Sequence, residues 1–95
     1  MKLIARVGDK CFGKCSVHGD QEGYIITGSD DCYMNEKQIA RVGDIVRANC
    51  GHEGIIVEGA PTTYFNNKNV ARLDDRFEGT YTGTIVQIIG ESTGY

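Results

Sequence analysis

Apolar residues in this chain recur at every second position, in runs too short for helices. Ile4 to Val7 sets Ala5 and Val7 on one side and Ile4 and Arg6 on the other, the two-residue period of a half-buried strand. Gly23 to Thr27, Gly54 to Glu58, Thr62 to Phe65 and Gly83 to Ile89 read as further strands, being rich in β-branched and aromatic side chains. Gly8-Asp9, Gly28-Ser29 and Gly59-Ala60-Pro61 supply turns between them. Cys32 to Lys37 reads as a strand and tight turn, echoed at Asn66-Asn67-Lys68, because asparagine tolerates the positive φ of such turns. Lys10 to Glu22, Ile45 to Glu53 and Arg76 to Thr82 read as loops. The first is long for a compact domain unless something orders it. No 3.6-residue pattern is present, so the expected fold is all-β.

The same words recur along the chain. Ile39-Ala40-Arg41-Val42-Gly43-Asp44 is repeated identically at Ile4 to Asp9 and in altered form at Val70 to Asp75. Each copy is followed by a glycine and an apolar run, at Gly23, Gly54 and Gly83. Tyr33 and Tyr64, Asn35 and Asn66, Lys37 and Lys68, and Arg41 and Arg72 stand in one register across the second and third copies. The third unit stops short, and the first begins with the missing half. Two termini that together supply one complete unit suit a closed three-fold arrangement rather than an open solenoid. The expected architecture is three pseudo-symmetric repeats forming a small cone or prism, with residues 1–95 as a single domain. Arg and Asp of each Ala-Arg-x-x-Asp copy read as a structural ion pair or turn contact, since scaffold repeats and catalytic groups do not.

Composition adds a constraint. Leu, Ile, Val and Phe total 22 of 95 residues and Trp is absent, so an apolar core alone gives a thin stability margin. A formal charge of -3 with scattered Lys and Arg argues against nucleic-acid binding. No run approaches the roughly 18 apolar residues of a membrane span, and the start lacks the apolar segment of a signal peptide. A protein made in the cytoplasm is expected, and its four cysteines then read as metal ligands or free thiols rather than disulfides.

Cys15-Ser-Val-His18 and Cys50-Gly-His52 precede the repeat glycines of the first two units. Three-fold closure brings those loops to one end of the molecule, where two thiols and two imidazoles make a borderline-soft set suited to tetrahedral Zn2+, with iron an alternative. Four protein ligands leave no position for water, so the metal would be structural, worth on the order of 10 kcal/mol in small metal-dependent folds. Cys11 competes with Cys15 for one position, and Cys15 is preferred for its chelating separation from His18. Cys32, opposite Thr63 in the repeat register, reads as a buried mid-strand side chain. Two other classes remain open: a zinc-ribbon-like binding module for protein or nucleic acid, which needs a basic or aromatic stripe, and a zinc hydrolase or thiol redox enzyme, which needs an open coordination position beside Asp20, Glu22 or Glu53.

The Ala-Arg-Val-Gly-Asp copies, the Asn-x-Lys-x-x-Ala-Arg segments and Cys50-Gly51-His52 together resemble the PAAR-repeat family over essentially the whole chain. That resemblance implies a sharp cone whose metal lies near the apex and whose flat base docks on the blunt end of a trimeric β-helical spike, one tip per trimer. Such spikes belong to type VI secretion systems and to the baseplates of contractile-tailed phages, so the implied place is a virion tail or the secreted tip of that apparatus, with transient contact with the target membrane during piercing. It implies no enzymatic activity, small-molecule substrate or nucleic-acid partner. Family tips commonly use three His and one Cys, with one ligand from the third repeat. Here Thr80-Tyr81-Thr82 hold that place, and Asp74 stands where Gly8 and Gly43 do. The length of 95 residues leaves no room for a toxin extension and favours the phage setting.

Overall fold

The computed structural model describes residues 3–34 and 36–88. Ten strands run in chain order among them: β1 Lys10–Cys15, β2 Gly19–Ile25, β3 Tyr33–Met34, β4 Lys37–Gln38, β5 Ile45–Ala48, β6 Glu53–Ile56, β7 Tyr64–Phe65, β8 Lys68–Asn69, β9 Arg76–Gly79 and β10 Tyr81–Gln87. Three antiparallel hairpins, β1–β2, β5–β6 and β9–β10, close into one barrel in the order β1-β10-β9-β6-β5-β2. Each repeat therefore contributes one hairpin, and the three-fold closure expected from the termini is met. The principal extents of 33 × 24 × 23 Å describe one long axis with two near-equal axes across it.

At one end of the barrel the three Ala-Arg segments meet. Ala5 N–H donates to the Ala71 carbonyl at 2.9 Å, Ala71 N–H to the Ala40 carbonyl at 2.9 Å, and Ala40 N–H to the Ala5 carbonyl at 3.0 Å, a cyclic ring of backbone bonds. Alanine fits because all three are fully buried and anything larger would spread the ring. From the ring each chain turns sharply and enters its hairpin. In every copy the aspartate accepts the backbone N–H of the arginine three residues earlier, Arg6 to Asp9 at 2.7 Å, Arg41 to Asp44 at 2.8 Å and Arg72 to Asp75 at 2.8 Å. The same carboxylates pair with the arginine side chains, as expected for scaffold. The turn needs positive φ at its third residue: Gly8 has φ 95°, Gly43 97° and Asp74 73°. Asp74 thus keeps the backbone that glycine adopts in its sister repeats. Gly43→Ala should cost about 1–2 kcal/mol, the usual penalty for a Cβ in the left-handed region, read from the urea midpoint. Asp74 shows that the turn itself will still form.

Three segments read as loops are strands instead, making up all or part of β1, β2, β5, β6, β9 and β10. Their period is hidden by small inward residues. Cys11 and Cys15 of β1 are buried with Gly13 between them, Gly23 and Ile25 of β2 point in, and Gly54 and Ile56 of β6 do the same. The glycines exist for close approach: a Cβ on Gly23 would clash with the Arg47 carbonyl oxygen and lie 2.8 Å from the Tyr81 ring, and one on Gly54 would clash with the Tyr81 carbonyl oxygen and lie 3.0 Å from the Phe77 ring. Two aromatics from the third repeat thus fill a barrel whose other walls are trimmed to admit them.

A second, smaller apolar cluster of Ile4, Ile39, Ala60 and Val70 lies under the ring, with Cys32, Met34 and Phe65 against it. Ala5 and Val7 belong to the barrel cluster, so the alternation over Ile4 to Val7 holds, although both of its faces are covered. The short hairpins β3–β4 and β7–β8 close with Glu36 at φ 69° and with Asn66 and Asn67 at 55° and 64°. The asparagine expectation is met at 66 and 67, while Asn35 and Ile89 lie outside the described residues. Cys32 is half-buried and precedes β3 rather than lying mid-strand. Its register with Thr63 is right, since both carbonyls accept the equivalent N–H, from Ile39 and Val70.

Candidate metal centre

The hairpin ends opposite the ring carry the chemistry. β1 leaves the ring after Asp9 and reaches its tip at Cys15, and the chain turns through Ser16, Val17 and His18 before β2 returns. With strands of six and seven residues against four and four in β5–β6, the first hairpin projects further than the second. The second turns through Asn49, Cys50 and Gly51, with Ala48 N–H bonded to the His52 carbonyl. The Ser16 N–H bonds to the Thr80 carbonyl at 2.9 Å, tying the first tip to the third hairpin.

One donor atom from each of Cys15, His18, Cys50 and His52 lies within 4.8 Å of all the others. Cys15 Sγ stands 3.6 Å from His18 Nδ1 and 3.2 Å from His52 Nδ1, and Cys50 Sγ stands 3.5 Å from His52 Nδ1. Metal–sulfur bonds of about 2.3 Å and metal–nitrogen bonds of about 2.0–2.1 Å at the tetrahedral angle place S and N about 3.6 Å apart. The three S···N contacts are thus close to the edge length of such a tetrahedron. The imidazoles stack at 5.1 Å between ring centroids, with both Nδ1 atoms on the Cys15 sulfur.

Electrostatics favours the ligand form of the buried thiol. Burial raises the Cys15 value, but the backbone N–H groups of Val17 and His18, the His18 side chain and Cys50 outweigh it and bring it to about 6. The Val17 N–H lies 3.4 Å from the sulfur. At neutral pH Cys15 is then largely thiolate, the species a metal binds. Cys11 is its opposite. Fully buried in the barrel, with the charge of Asp9 nearby, it is pushed up to about 12 and stays a protonated core thiol. The cluster takes in Cys15 and not Cys11.

Two of the three acidic residues near the tips are engaged in ion pairs. Glu22 pairs with Lys10 at 2.5 Å and Glu53 with Arg47 at 2.5 Å, while Asp20 is exposed.

Tyr81 escaped the sequence reading, which placed it in a loop without function. It opens β10, fully buried and in register with Cys15, with its ring 4.8 Å from Phe77 and its hydroxyl donating to the Gln21 carbonyl at 2.7 Å. Burial, with Cys11 and Cys50 next in effect, drives its phenol well above the ordinary value, so it stays neutral. The available signal was positional: Gln21, His52 and Tyr81 each stand two residues before a repeat glycine. Tyr81→Phe should lower stability by about 1 kcal/mol, a melting temperature about 4–8 °C lower, with metal content unchanged.

A closed barrel of three repeated hairpins, bearing two cysteines and two histidines at its tip, defines a small symmetric structural module. A family model described as PAAR motif matches residues 20–79, and the chain belongs to that family. No curated protein matches the chain.

Proposed function

We propose that residues 1–95 form a single PAAR-repeat domain acting as the metal-stabilised tip of a trimeric β-helical spike, in a contractile phage baseplate or a type VI secretion system. Cys15, His18, Cys50 and His52 would hold one Zn2+, or iron, as a closed four-ligand set. The bound ion supplies no reaction there; it ties together two hairpin tips that have little apolar surface of their own, and the protein has no catalytic role. The observation that carries this reading is the ring of Ala5, Ala40 and Ala71. It closes the end opposite the metal with three repeat-related segments of one chain, one for each subunit of a trimeric spike. A rigid tied apex at the other end suits brief contact with a target envelope during piercing, after delivery from the cytoplasm with the spike.

Capture of candidate spike trimers by the tagged chain, with the stoichiometry of the complex measured, tests it. One chain per three spike subunits is expected. Equimolar binding would refute capping.

A further inference from the structure

Pseudo-symmetry lets each corner of the ring be compared with its sisters. At the first, the Arg6 side chain is 1% exposed and its Nη1 donates to the Met34 carbonyl of the β3–β4 hairpin at 3.4 Å. At the second, Arg41 is 11% exposed and the turn of the β7–β8 hairpin covers it. There the Asn66 Oδ1 accepts from Arg41 Nη1 at 2.9 Å and from the Ser29 hydroxyl, while its Nδ2 donates to Asp31 at 2.9 Å. The third corner is different. Arg72 is 18% exposed; its Nε and Nη2 bond Asp75 and its Nη2 reaches the Gly59 carbonyl at 3.4 Å, but among the described residues no acceptor meets its Nη1.

A second partner is lacking at the same place. The Thr27 hydroxyl donates to Asp44 Oδ1 at 3.0 Å, whereas Glu58, its counterpart 31 positions on, turns away to pair with Arg76 at 3.1 Å. A cavity of about 400 Å³ opens beside Arg72, lined by Val57, Gly59, Asn69 and Asp75 among others.

We infer that this Arg72 corner is a docking site for a β-turn of a partner protein that presents a side-chain carboxamide. The chemistry selects that group. Arg72 Nη1 offers a donor and Asp75 Oδ1 an acceptor lacking the hydroxyl its counterpart receives, and a primary amide satisfies both at once. A carboxylate would face Asp75, and an ammonium would face Arg72. The form of the occupant follows the sister corner, where an asparagine turn brings its side-chain Oδ1 to Arg41 Nη1. A second copy of the chain is a poor occupant, because its Asn66 is already bonded to Ser29, Asp31 and Arg41. This inference does not depend on what the metal-bearing end does.

The test uses 15N-labelled, metal-loaded full chain and a head-to-tail cyclic peptide with the sequence of Thr62 to Asn69. Saturable shifts of the Arg72 Nε–H and of the Gly59 and Asn69 amides are expected, at least ten-fold weaker both for the Asn66→Ala peptide and for the Arg72→Met chain. The peptide variant keeps the test intact even if Arg72→Met misfolds. Absence of saturable shifts up to ~1 mM peptide, or equal binding of the Asn66→Ala peptide, would overturn the proposal. So would slow exchange of the Arg72 Nη1 protons in the peptide-free monomer, which would place an occupant from the chain itself in the corner. Concentration-dependent dimers abolished by Arg72→Met would identify a second copy instead and equally overturn it.

Discussion

Removing the metal with a chelator should lower the melting temperature of the purified chain by about 15–30 °C. An ion held a thousand-fold more tightly than its free concentration contributes about 4 kcal/mol to the folded state. In a domain of this size each kcal/mol moves the midpoint by about 4–8 °C. The effect is large because the four residues join separate hairpins: Cys15 and His18 follow β1, while Cys50 and His52 lie between β5 and β6. Cys15→Ser should reproduce the loss and make the chain insensitive to chelator. Cys32→Ser, half-buried beside Asp31 at 3.5 Å and outside the cluster, should change the midpoint little. Acidification should act in the same direction as chelation. The Cys15 value is depressed to about 6, so its stabilising contribution is present above the ordinary thiol value of 9.0 and is lost as pH falls through about 6. Protons would also compete directly with a metal for these four side chains. Metal release on a falling pH ramp, followed with a colorimetric indicator, checks the sign.

Asp9→Ala should destabilise the chain by about 3–5 kcal/mol, the usual cost of removing one partner of a buried ion pair. Asp9 and Arg6 are 0% and 1% exposed, and the carboxylate serves both the Arg6 backbone N–H at 2.7 Å and the guanidinium at 3.7 Å. Truncation strands the Arg6 charge without its carboxylate and unpins the turn that enters β1. The three-fold repetition supplies an internal control. Asp75→Ala breaks the same motif beside an arginine that is 18% exposed, where water can reach the charge, and should cost distinctly less. Equal losses at the two sites in denaturant titrations would mean that burial of the pair is not what matters.

The closed three-fold plan was legible because repetition of Ala-Arg-x-x-Asp constrains geometry more tightly than local propensity does. The cluster was legible for a related reason: Cys15-x-x-His18 and Cys50-x-His52 precede equivalent glycines, and closure of the repeats brings the two hairpin tips together. The barrel strands were less readable, because their inward positions are held by Gly13, Gly23, Gly54 and Gly83 beside Cys11 and Cys15, residues that carry little apolar signal. Gly13 and Gly83 let β1 and β10 approach backbone to backbone, and the role of Gly23 and Gly54 appears only once Tyr81 and Phe77 are seen to pack against them. That asymmetry, in which one repeat fills what the others leave empty, has no trace in a register built on similarity. Subtraction by 31 also fails inside the hairpins, since β1–β2 is longer than β5–β6 and projects beyond it.

Native mass spectrometry of the chain, purified without added metal, addresses the central claim most directly. The account predicts one ion bound per chain, lost in Cys15→Ser and retained in Cys11→Ala and Cys32→Ser. A chain that carries no ion, and melts at the same temperature as its Cys15→Ser variant, would contradict it.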